Sequence, residues 1–89
     1  MPSREVTIIN KLGMHARAAA RFVAVASRFE AAIRVVRDDR TVNGKSIMGV
    51  MMLAAGKGVT LLLEAEGKDA EAALDALEKL IADRFEENE

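Results

Sequence analysis

The sequence predicts an α/β (α+β) fold: a two-layer, open-faced sandwich with element order βαββαβα, its three helices on one face of a four-stranded sheet. Three observations predict it. Four short segments carry β-branched residues in apolar–polar alternation, the period of a half-buried strand. Three others repeat apolar residues at helical spacing. The chain has only 89 residues, too few for two separate cores, so one domain over 1–89 is expected.

Residues 4–9 read as the first strand, with Val6 and Ile8 on one face and Glu5 and Thr7 on the other. Residues 10–14 form a loop with Gly13 as its pivot. A helix runs from about 16 to 28. Ala19, Phe22, Val23 and Ala26 give its core stripe, while Arg17, Arg21 and Arg28 fall within about 40° of one another as a separate basic stripe. Residues 32–37, with Ile33, Val35 and Val36, read as the second strand. Asp38-Asp39 turns and residues 40–42 return, making a hairpin. After the Asn43-Gly44 turn, Ser46 caps a short helix over 47–53, which Gly56 and Gly58 end. Residues 59–66 are the fourth strand, with Leu61, Leu63 and Ala65 alternating against Thr60, Glu64 and Glu66. Asp69 caps the last helix, whose stripe is Ala70, Ala73, Leu74, Leu77, Leu80 and Ile81; Glu71, Asp75 and Glu78 face away as a solvated surface.

Composition removes several functions. Apolar residues make up 51% and charged residues 30%, a balance that folds rather than stays disordered. There is no cysteine, so neither disulfides nor thiolate chemistry is available. With one histidine, a zinc site cannot be filled, and no metal or cofactor is expected. No apolar run approaches the ~20 residues that span a membrane, and the first residues show no signal region, so a cytoplasmic location is expected. The net charge of −1 hides an asymmetry: residues 1–57 carry +6 and residues 58–89 carry −7. A basic half suits nucleic acid, phosphate or an acidic protein. Phe22, Phe29 and Phe85 are the only aromatics, which leaves no base-stacking platform and argues against nucleic acid.

Gly44-Lys45-Ser46 looks like the end of a phosphate-binding P-loop, but that motif needs glycine where Asp39 stands. The informative segment is Gly13-Met14-His15-Ala16-Arg17. His15 sits at the predicted N-cap, where Ser, Thr, Asp or Asn is usual, and Arg17 puts a cation into a first turn that disfavours one. Breaking two helix rules at one spot marks a candidate functional site. Free amides at the helix start, with Arg17 and Arg21, can hold a phosphate dianion, and neutral imidazole is a nucleophile. These positive surroundings should keep the ring neutral near pH 7. Two readings stay open on this chemistry: reversible phosphorylation of His15, or a surface histidine in a loop. The short helix is a second anomaly. Ile47, Met48, Val50, Met51, Met52 and Leu53 surround it, so it is either wholly buried or presents an adaptable apolar face to a partner.

Gly13-Met14-His15-Ala16-Arg17-Ala18-Ala19, followed by Lys45-Ser46-Ile47-Met48, resembles the HPr family, histidine phosphocarriers of the bacterial phosphotransferase system. The likeness covers the whole chain and is nearest the proteobacterial branch, which includes NPr. It implies a four-stranded antiparallel sheet and a monomer. It implies that His15 accepts a phosphoryl group on Nδ1 from Enzyme I and passes it to an EIIA-type domain, with Arg17 neutralising the phosphate. It further implies that Ser46 is a target of HPr kinase/phosphorylase and that Met14, Arg21, Ile47, Met48, Met51 and Met52 form the partner surface. Such a protein is a carrier acting with partners rather than a stand-alone enzyme. Family members usually have proline after the arginine; Ala18 stands there instead, and as a strong helix former it should preserve the helix. The rivals are a non-catalytic interaction module of the nitrogen-related branch and a small RNA-binding domain.

Overall fold

The computed structural model describes residues 1–87. Its elements are β1 (Ser3–Thr7), α1 (Ala16–Ala26), β2 (Ala32–Arg37), β3 (Arg40–Asn43), α2 (Ile47–Met52), β4 (Thr60–Glu66) and α3 (Ala70–Ala82), ending in a short turn at Arg84–Glu86. The expected order is therefore observed. The sheet runs β1-β4-β2-β3, every neighbour antiparallel. Pairing of Val6 with Leu61 and of Val35 with Leu63 aligns inward side chains across three strands.

Strand alternation and helical stripes converge on one core. Leu61, Leu63 and Ala65 point in along β4, and Ile33 and Val35 along β2. They meet Phe22 of α1 and Leu74 and Leu77 of α3, all buried. Val23, expected in the α1 stripe, is only partly buried, and Ala18 takes a fully buried place beside Ala19. Gly44 is required by close approach: a Cβ there would lie 2.5 Å from Ile33 Cγ2.

The structure corrects three expectations about the helices. Asp69 stands at the N-cap of α3 as expected, but its side chain makes no cap hydrogen bond. Its carboxylate instead accepts from the amides of Glu30 (2.9 Å) and Ala31 (2.8 Å), tying the start of α3 to the approach to β2. These backbone hydrogen bonds hold its pKa below the ordinary 3.8. The resulting stabilisation is complete above 3.8 and is lost as pH falls through the lower folded-state value. Asp69→Ala should therefore melt below the parent at pH 7, with the two melting temperatures converging in strong acid. A constant difference at every pH contradicts this role.

Second, α2 ends before Gly56 and Gly58. Ala54 takes the left-handed turn (φ 52°), and Arg37 donates to the carbonyls of Leu53 (2.7 Å) and Ala54 (3.0 Å). Alanine in that conformation costs about 1–2 kcal/mol that glycine avoids. Ala54→Gly should accordingly raise the unfolding free energy by about 0.5–1 kcal/mol, and the denaturation midpoint with it; an unchanged midpoint would show that the turn is unstrained. Third, the acidic face of α3 is not merely solvated. Arg4 bridges Glu71 (3.1 Å), Asp75 (2.7 Å) and Glu78 (2.8 Å), fastening β1 to α3.

Candidate functional site

The site grows out of the loop between β1 and α1, which is tied down at several points. Ile8 and the segment 58–59 exchange two backbone hydrogen bonds (2.9 and 2.7 Å) beyond the end of β1. Met14 donates its amide to the carbonyl of Ala55 (2.8 Å). Gly13 has φ 68°, and a Cβ there would fall 2.7 Å from Ala55 O and Gly56 Cα, so only glycine lets the loop lie this close to the α2–β4 connection. Asn10 is wholly buried and donates from Nδ2 to the carbonyl of Gly13 (2.8 Å), closing the loop from inside.

This clamp delivers His15 to the N-cap of α1. Its backbone is extended (φ −76°, ψ 179°), its carbonyl accepts from Ala19 N (2.8 Å), and its side chain makes no cap hydrogen bond. The amides of Ala16, Arg17 and Ala18 have no acceptor among the described residues. No acidic residue lies in the first turn. Arg17 is exposed, and nothing described pairs with it. A partial positive charge, three donors and a guanidinium with no described partner thus meet at the helix start that carries His15, an arrangement that holds anions.

The Nε2 side of the imidazole differs from expectation. The sequence placed only cations near His15, but Glu87 Oε2 lies 2.5 Å from His15 Nε2. The other oxygen of Glu87 accepts from Asn10 Nδ2 (3.0 Å). Burial pushes the Glu87 carboxyl up, but the hydrogen bonds from His15 and Asn10 outweigh it and hold it below the usual range, so it stands as a carboxylate. No local motif announced this contact, because 72 positions separate the partners. Phe85, wholly buried, is what anchors the tail that brings Glu87 there.

The remaining candidates divide. Ser46 is the N-cap of α2, its Oγ accepting from Gly49 N (3.0 Å). Ile47, Met48, Met51 and Met52 are exposed while Val50 is buried, so α2 keeps one apolar side on the surface. Leu12, overlooked in the sequence, is 68% exposed on the loop beside His15, about as open as Met48 at 69%. Met14 is a correction: at 6% exposure it belongs to the core and offers no partner surface. As the residue before the N-cap, it shares that core with Ala19 at the fourth helical position, the arrangement of a hydrophobic staple. Arg21 does not share the anion site with Arg17. It donates to the Phe85 carbonyl (2.5 Å) and sits 3.9 Å from Glu86, holding the C-terminal turn.

Fold and site together define a class: a small open-faced sandwich that presents one histidine at a helix start, with an exposed apolar helix packed against that same helix. Within it, the family model described as "PTS HPr component phosphorylation site" matches residues 2–83. The chain is 59% identical to a phosphocarrier protein HPr of Pseudomonas aeruginosa, covering all of both chains. It is 45% identical to a phosphocarrier protein NPr of Shewanella violacea over 94% of this chain and 92% of that one. The crystal structure of HPr-C-His from Thermoanaerobacter tengcongensis superposes with a TM-score of 0.96 at 46% identity, with both chains fully covered. The chain belongs to the HPr family, the phosphocarriers of the phosphotransferase system.

Proposed function

We propose that this protein carries a phosphoryl group on His15, receiving it from Enzyme I and giving it to an EIIA-type domain. The observation that carries this reading is a partly exposed N-cap imidazole at a helix start whose first-turn amides and Arg17 have no partner among the described residues. The Nδ1 lone pair attacks phosphorus, the donor nitrogen–phosphorus bond breaks, and its electron pair returns to the donor ring. The helix amides and Arg17 then hold the phosphoryl oxygens. Transfer between two imidazoles asks little more of the carrier than position and charge. Incubation with Enzyme I and phosphoenolpyruvate should add one acid-labile phosphate; no mass increase would contradict the reading and favour a non-catalytic interaction module.

The partner surface on this reading comprises Arg17, Leu12, Ile47, Met48, Met51 and Met52, and the partner face is acidic. Added salt should weaken association mainly through the on-rate. Ser46 is the proposed site of regulation by HPr kinase/phosphorylase. Its oxygen already caps α2, so phosphate at this helix start would not unfold the helix. Inhibition comes instead from placing about two negative charges beside the apolar surface. Ser46→Asp should bind Enzyme I several-fold more weakly in a calorimetric titration; equal affinity contradicts the charge explanation. Family membership leads us to infer a cytoplasmic monomer. Among the described residues no helix is long and apolar enough to cross a membrane.

A further inference from the structure

We propose that Glu87 is a positioning residue for His15: it fixes the imidazole through Nε2–H, leaves Nδ1 as the bare nitrogen, and balances the positive charge the ring gains on phosphorylation. This rests on the phosphocarrier reading and adds a residue that no local motif contains.

The geometry supports it from both ends of the carboxylate. One oxygen faces His15 Nε2 and the other is held by the wholly buried Asn10, which also fixes the loop carbonyl of Gly13. The side chain of Glu87 is 15% exposed, against 28% for His15, so the pair is partly shielded from water. An ionised carboxylate only accepts hydrogen bonds, so Nε2 must carry the proton. In a neutral ring the lone pair then lies on Nδ1, which has no partner among the described residues.

The chain path is built for this contact. Arg84, Phe85 and Glu86 all have left-handed backbone, at φ 56°, 54° and 66°, a conformation non-glycine residues seldom adopt. Burial of Phe85 and the hydrogen bond from Arg21 to its carbonyl hold the turn in place. Without the turn, the chain beyond α3 would not double back to the start of α1. Strain sustained by surrounding structure and spent on placing one side chain at a reactive group marks a functional contact.

The chemistry balances without a further reactant. As Nδ1 forms its bond to phosphorus, the donor bond breaks with its electrons and no proton leaves the His15 ring. The ring becomes cationic and Glu87 stabilises it, the role a buried carboxylate plays for the histidine of a hydrolase triad. The same contact serves the return step, when Nδ1 is the leaving group.

The test compares the parent with Glu87→Ala and Glu87→Gln. In the free proteins, NMR of the imidazole should show an exchange-protected Nε2–H in the parent that is lost in Glu87→Ala. In rapid-quench phosphorylation by Enzyme I and phosphoenolpyruvate, Glu87→Ala should be about tenfold slower in kcat with KM unchanged. Glu87→Gln, which keeps an acceptor but not the charge, should fall between. A parent that takes no phosphate would sink the carrier reading and this proposal with it. A parent that is phosphorylated, with Glu87→Ala within twofold of it and Nε2–H exchange unaltered, overturns the proposal alone. A defect confined to KM would make Glu87 a docking contact and also overturn it.

Discussion

His15→Ala is expected to fold like the parent and to take up no phosphate at all from Enzyme I and phosphoenolpyruvate. Loss should be complete because His15 is the only histidine and the chain has no cysteine to substitute as a nucleophile. The fold should survive because the imidazole makes no cap hydrogen bond, so the helix loses no partner when it goes. Its one side-chain hydrogen bond among the described residues, to Glu87, lies in the tail rather than the core. Circular dichroism with intact-mass measurement checks both halves: an unchanged spectrum and no added phosphate. Label retained on His15→Ala would place the acceptor elsewhere.

Arg17→Ala should slow transfer by about a hundredfold, the typical effect of removing one group that stabilises developing charge. Stability should move the other way. A cation in the first turn opposes the helix dipole by roughly 0.3–1 kcal/mol, and nothing described pairs with Arg17 to compensate. The variant is thus expected to be slower in stopped-flow transfer and marginally more resistant to denaturant. Arg17→Lys should recover only part of the rate, since a point charge lacks the planar fork that grips two phosphoryl oxygens. Rates equal to the parent would remove Arg17 from the mechanism.

What was legible in the sequence is what short-range rules govern. Alternation along β4 and the stripe of α3 foretold the inward residues, because a strand or helix face is set by neighbours two to four positions away. Ser46 capped its helix as expected, since the bond reaches only to Gly49. His15 stood out because it and Arg17 violate local preferences at one helix start.

The unread parts depend on distant pairs. Asp69 looks like a cap, but its carboxylate is claimed by amides 38 and 39 positions away. Phe85 falls four residues after Ile81 and continues the α3 stripe on paper; the chain instead turns left-handed there with no glycine to signal it. Glu87 follows from that turn, so its place beside His15 was equally hidden. Met14 did carry a local signal: its position before the N-cap, with Ala19 at the fourth helical position, marks an inward side chain.

One spectrum tests the central idea most directly. Isotope-labelled protein, phosphorylated by Enzyme I and phosphoenolpyruvate, is observed by phosphorus and nitrogen NMR. A phosphate bonded to His15 Nδ1, with the amide resonances of Ala16, Arg17 and Ala18 displaced as they bind its oxygens, is the result expected. Phosphate on Nε2 or on another residue, or amides that stay where they were, would contradict it.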